Sequence, residues 1–146
     1  MITKINDNLY RGPRPTKEMI LELQALGVKT LIDLESGIYE KFHNDSYKYM
    51  DLAKYNMIEH DVPCSDIFPP DISKIADVFL ILSVSKSPTY IHCLQGKDRT
   101  GFICAIYRMQ NQKWSYKDAV AEMWSMGFHW FYFYWLLALK KYEVKK

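Results

Sequence analysis

Disulfide scaffolds, membrane spans and nucleic-acid coats all lack their raw material in this chain. The only cysteines, Cys64, Cys93 and Cys104, stand in no paired spacing, which argues for reduced thiols rather than a cross-linked framework. No apolar run approaches the ~20 residues that a bilayer-spanning helix needs. The opening Met1-Ile-Thr-Lys-Ile-Asn-Asp-Asn8 also lacks the hydrophobic centre of a signal peptide. A cytoplasmic protein without a transmembrane segment is therefore expected. Net charge is only +2, too small for a general nucleic-acid surface, so no nucleic-acid partner is expected and any positive field must be local. His60, Cys64, His92 and Cys93 have no ligand-pair spacing, so no zinc site is expected. No repeat, linker or low-complexity segment interrupts the chain, and residues 1–146 read as a single domain with one core.

What is present is concentrated in His92-Cys93-Leu94-Gln95-Gly96-Lys97-Asp98-Arg99-Thr100-Gly101. A short β-type run from Thr89 leads into it, and a helical run from Thr100 to Gln110 leads out. Strand, tight loop and helix together let backbone N–H groups converge on one anion at a helix N-terminus. Cys93 opens that loop, and Arg99 closes it with a planar fork that matches two phosphate oxygens. In such a nest, thiol pKa values fall from about 8.5 to roughly 3.5–7.5, so a nucleophile is expected where a phosphate binds. A merely buried thiol beside a glycine turn would not call for Lys97 and Arg99 on the same loop.

The stretch resembles the His-Cys-x5-Arg-Ser/Thr-Gly signature of the cysteine-dependent protein tyrosine phosphatase superfamily. Leu9-Tyr-Arg-Gly-Pro-Arg-Pro15, followed by a helix, Leu26-Gly-Val28 and a strand, is similar to the start of the compact dual-specificity type. The resemblance implies phosphomonoester hydrolysis through a phosphocysteine, without metal or cofactor. By position, Leu94, Gln95, Gly96, Lys97 and Asp98 would cradle the phosphate and Arg99 would clamp it. Thr100 would donate to the departing sulfur, and His92 would hold the loop backbone. A phosphate-binding pseudophosphatase is the rival reading.

Such chemistry needs a general acid for the leaving oxygen, later a base for water. Asp66 leads, because Asp66-Ile-Phe-Pro-Pro70 resembles the acid loop of phosphoinositide 3-phosphatases and of phosphatase-like phytases. Asp98 is an alternative, since Gly-Lys-Asp-Arg-Thr-Gly resembles bacterial tyrosine phosphatases thought to use that aspartate. Asp61, at the end of a strand, is another. Lys97, with Arg14, Lys41 and Lys48 at the rim, points towards an inositol phosphate or phosphoinositide substrate, with phosphotyrosine proteins as the alternative. Cys64, near the acid loop, is a candidate disulfide partner for Cys93, and Cys104 reads as a small buried residue.

The remaining chain reads as an α/β fold, a short, mostly parallel sheet of four or five strands with helices on both faces. Strands are expected at the Asn8–Pro15 segment, Val28–Leu34, Met57–Val62 (as a core strand) and Thr89–Cys93. Thr16 should cap a helix reaching Leu26, with Met19, Ile20, Leu23 and Leu26 inward and Gly27 as its stop. A loop with a surface His43 and a helix over 46–54 ending at Asn56 are expected next. A helix over Asp71–Leu82 should turn Ile72, Ile75, Ala76, Phe79, Leu80 and Leu82 mostly inward. The helix after the Cys93 loop is apolar nearly all round and should be central. Ser115 should start a helix that stops at Gly127, and Phe128–Tyr142 reads as a C-terminal helix whose aromatic excess offers a dimer or partner surface.

Overall fold

The computed structural model describes residues 1–36 and 47–145. Five short strands form one sheet in the order β1-β2-β5-β3-β4. They are β1 (Thr3–Asn6), β2 (Leu9–Gly12), β3 (Thr30–Asp33), β4 (Ile58–Asp61) and β5 (Thr89–His92). Only the β1–β2 pair is antiparallel. β1 is too short and too polar to stand out in the sequence, and it joins as an edge. β4 is the opposite edge, its residues exposed or half-buried, so Met57–Val62 is not a core strand; its flanks Met57 and Val62 are the buried parts.

Alternation along the strands splits the core between two faces. Leu9, Ile32 and Ile91 pack towards Val78, Ile103 and Cys104. Tyr10, Leu31 and Tyr90 pack towards Ile20 and Leu23 on the other side. Those partners belong to α2 (Ile72–Val84) and α3 (Arg99–Asn111) on one face and α1 (Lys17–Ala25) on the other. Thr16 caps α1 by accepting from the Met19 amide, and Gly27 ends it at φ +83°. Ile20 and Leu23 are buried, whereas Leu26 is exposed. In α2 the buried residues are Ile75 and Val78, while Ile72, Ala76 and Leu80 face solvent. The stripe is narrower than apolarity suggests because α2 covers only one side of the sheet.

Every residue of α3 from Arg99 to Ile106 is buried, as its all-round apolar character predicts. Its far side packs on α4 (Tyr116–Ser125), which Ser115 caps, and on α5 (Trp135–Lys140). The expected continuous helix over Phe128–Tyr142 is instead a 3₁₀ turn at Trp130–Tyr132 followed by α5. So many rings cannot share one helical stripe. The break lets Phe128, Trp135 and Leu139 turn inward while Trp130, Phe133 and Leu137 stay exposed where the sequence calls for a partner surface.

The expected helix over 46–54 resolves into two 3₁₀ turns, Tyr47–Tyr49 and Leu52–Tyr55, the second closed by left-handed Asn56. Ser46, Lys41 and His43 lie outside the described residues. Among the described residues, no helix is long and apolar enough to cross a membrane.

Candidate active site

β5 lies between β2 and β3, with His92 level with Gly12 and Asp33. The chain leaves this C-terminal edge as the loop Cys93–Asp98 and enters α3 at Arg99. Neighbouring strand ends grip the loop by its carbonyls. The Arg14 amide donates to the Leu94 carbonyl (3.1 Å), and Arg11 Nη2 donates to that of Gly96 (2.8 Å). No peptide here is cis, so the amides of Gln95 and Lys97 point away from those arginines, as carbonyl and following N–H do in any trans unit. Gly96 sits at φ +72°, and a Cβ there would lie 2.3 Å from the backbone carbon of Gly12. Only glycine fits that crossing.

Above the loop opens a cavity of about 280 Å³. Cys93, Leu94, Gln95, Asp98 and Arg99 form its floor, and Asp66, His129, Phe131 and Tyr132 complete the lining as its walls. Arg99 is buried and its Nη1 reaches the Cys64 carbonyl at 3.4 Å, tying floor to acid-bearing loop. The Thr100 hydroxyl is buried and has no hydrogen-bond partner among the described residues, which leaves it a donor to use. The loop around exposed Asp66 is folded by Ser65 Oγ, which accepts from the amides of Ile67 and Phe68. Tyr134 Oη and Trp135 Nε1 both donate to the Ile67 carbonyl.

The match to known proteins follows this geometry. The family model described as a DSP-PTPase phosphatase fused to NAD+ kinase matches residues 3–129. The chain belongs to that DSP-PTPase family. It is 25% identical over 127 residues to the dual specificity protein phosphatase TpbA of Pseudomonas aeruginosa, covering 86% of this chain and 54% of TpbA. It thus spans about half the length of the curated relatives it matches. The crystal structure of P. aeruginosa TpbA superposes with a TM-score of 0.71 at 24% identity, over 88% of this chain and 74% of that one. PTPMT1 gives 0.78 at 18% identity, over 97% and 93%. The core catalytic domain of the PP-IP phosphatase SIW14 of S. cerevisiae gives 0.71 at 21%, over 87% and 75%.

Beneath the floor of this DSP-PTPase chain lies a buried polar network that the sequence did not announce. Tyr47 Oη donates to Glu59, and since a phenol has one proton it accepts from His92 Nε2 at 3.0 Å. The Lys48 ammonium joins Glu59 (2.6 Å), Asp33 (2.9 Å) and Asp61 (3.3 Å). Asp33, Glu59 and His92 present ligand atoms within 4.8 Å of one another, and the cation among them is Lys48. Burial works against Lys48's charge, but Glu59 and Asp33 outweigh it and hold its pKa above the ordinary value. Burial pushes His92 down to about 4, against the pull of Asp33, so it is neutral near pH 7.

Several sequence expectations are relocated. Arg14 does not face the cavity; its guanidinium is bidentate on buried Glu35. Lys97 points to the opposite side of the loop, its stem against Gly127, in a groove it shares with Arg11 and Met126. Lys48 is the network's cation rather than a rim residue. Asp61 lies on the edge strand with Lys48 and does not line the cavity. Asp98 lines it, but both its oxygens are occupied by His129. Burial pushes the Cys64 thiol up to about 12, a poor match for thiol exchange with Cys93. Cys104 is buried in the core. His129, Tyr47 and Glu59 were missed; Gly127 as a helix stop was the one available hint that a loop residue follows there.

Proposed function

We propose that this chain hydrolyses phosphomonoesters through a phosphocysteine, with residues 1–146 acting as one catalytic domain. The observation that carries the reading is the convergence of Cys93, Arg99 and Asp66 on one cavity. The Cys93 thiolate attacks phosphorus as the ester oxygen departs with a proton from Asp66. Arg99 and the loop amides hold the equatorial oxygens as charge spreads over them. Water then attacks the phosphocysteine, Asp66 takes its proton, and Thr100 donates to the leaving sulfur. His92, neutral and bonded to Tyr47, supports the loop from below. Cys93, Asp66 and water supply every group the substrate does not, so no metal or cofactor is invoked.

For the substrate, the aromatic wall supports a phosphotyrosine side chain or another aryl monophosphate. That TpbA has been solved with pTyr fits this reading. An inositol phosphate or phosphoinositide is the second reading, supported by likeness to PTPMT1, solved in complex with PI(5)P, and to SIW14. It comes second because Lys97 and Arg14, which favoured it, sit away from the mouth. In the test, kcat/KM is measured on p-nitrophenyl phosphate, phosphotyrosine peptides and inositol polyphosphates. Cys93→Ser should abolish turnover while inorganic phosphate still binds. A folded wild-type protein inert on p-nitrophenyl phosphate across a broad pH range would sink the hydrolase reading in favour of a phosphate binder.

A further inference from the structure

Asp98 and His129 meet in the lining of the cavity in a way that the motif does not call for. One Asp98 oxygen accepts the backbone N–H of His129 at 2.8 Å, and the other lies 2.7 Å from its Nδ1. A carboxylate only accepts, so Nδ1 carries a proton and donates it. The ring stacks on Phe131, with centroids 5.1 Å apart and planes 20° apart. Backbone, Nδ1 and ring face are thus all fixed, and the ring lines the phosphate cavity. The edge left for the cavity is Nε2. This is a held imidazole beside the Cys93–Arg99 floor, with the Asp98 carboxylate at its back.

We infer that His129 is a further substrate-binding residue, whose ring, carrying a proton on both nitrogens when phosphate is bound, keeps Nδ1–H on Asp98 and donates Nε2–H to the phosphomonoester, and that Asp98 is its positioning residue rather than the general acid. The inference rests on the phosphatase reading. It also supplies the mouth with the donor that Lys97 does not. The titratable and charged groups that line the cavity with His129 are Cys93 and Asp98 from the loop, Arg99 at the start of α3, Asp66, and Tyr132 from its own segment. Arg99 alone among them is a fixed cation, so a second donor to a dianion has a place there. Asp98 cannot easily serve as the acid, because both its oxygens face protons of His129.

The test uses the intact chain, p-nitrophenyl phosphate as substrate and inorganic phosphate as probe. His129→Ala should raise KM and weaken inorganic phosphate binding by roughly tenfold, the effect of losing one charge-assisted donor, with kcat changed much less. Asp98→Asn should have a smaller effect. Its oxygen can still take the backbone N–H, but its NH₂ faces Nδ1, which must then accept, leaving a neutral ring with its proton on Nε2. Thermal melts confirm folding, and His129→Gln, a neutral donor, should recover part of the affinity if Ala perturbs the loop. Unchanged phosphate affinity in folded His129→Ala would overturn the assignment. So would a kcat loss confined to alkyl phosphates at constant KM, which would make His129 a proton donor instead. Calorimetry of phosphate on Cys93→Ser reads His129 even if no hydrolysis is found, so failure of the hydrolase reading stays distinct.

Discussion

The floor of the cavity and its wall are built on different physics. The floor is held from below by buried, charged and long-range contacts: Arg11 to Gly96, His92 to Tyr47, and Lys48 among three carboxylates. The acid-bearing side is an exposed loop whose tie to α5 is one carbonyl, that of Ile67, shared by Tyr134 and Trp135. The floor must present amides and a sulfur in one geometry to one anion. On the proposed mechanism, Asp66 delivers a proton from the side to leaving groups of different shape. Damage to the floor should therefore unfold the protein, and damage to the wall should leave it folded but slow on demanding substrates.

The largest expected effect comes from Lys48→Met. Removing the ammonium leaves Asp33 and Glu59 buried without their cation, and breaking such a group costs about 3–5 kcal/mol. Denaturant unfolding should show a stability loss of that order. A loss below about 1 kcal/mol would mean that the network is solvated and that the floor is no more rigid than the wall.

Acid should strike the floor next. His92 has a folded pKa of about 4 against an ordinary 6.5, so the unfolded chain binds more protons between those values. Its contribution to stability is complete above pH 6.5 and is lost as pH falls towards 4, by about 3 kcal/mol at most. Burial works against the Asp33 carboxylate too, yet His92 as it protonates, the Glu35 amide and Lys48 hold its pKa below the ordinary value, so that contribution persists to still lower pH. Melting curves should fall across the His92 window, and His92→Asn should flatten them. A flat wild-type profile would show that His92 titrates normally.

The smallest effect tests the wall. Trp135→Phe keeps a ring against Phe102 but removes the Nε1 donor to Ile67. About 1 kcal/mol of stability should go with that bond. Asp66→Asn, with the tie intact, should slow alkyl phosphates far more than p-nitrophenyl phosphate, whose leaving oxygen needs little protonation. If Asp98→Asn shows that leaving-group dependence instead, the acid sits on the floor and the division fails.

The same division explains what could be read in advance. The loop from His92 to Gly101 was legible because its chemistry is local: strand, glycine, arginine and helix start follow one another in sequence. The caps at Thr16 and Ser115 and the stops at Gly27 and Gly127 were legible for the same reason. The network under the floor was not, because Tyr47 and Lys48 come from a 3₁₀ turn that no periodicity marks, and Glu59 from a strand whose alternation does not reveal that it is an edge. Lys48 read as a cation for the rim of the site, whereas three carboxylates hold it beneath the floor. His129 was hidden in an uninterrupted aromatic run, and that run misled as a helix because crowded rings favour a break over a stripe. Asp66 gave a residue and a loop, but the bond from Trp135 to the neighbouring Ile67 carbonyl spans 68 positions.

The grip of Arg11 on Gly96 reaches across 85 positions, and that of Tyr47 on His92 across 45. Closing such spans costs chain entropy before any contact rewards it, so they form late on the way to the native state. The phosphate loop can acquire its shape only after the N-terminal strand has docked beside β5. In refolding, recovery of phosphate binding should then coincide with the slowest step rather than precede it. Phosphate added to the refolding buffer would leave the early phases untouched and slow only the reverse reaction. The loop that is easiest to find in the sequence would be among the last parts of the molecule to exist.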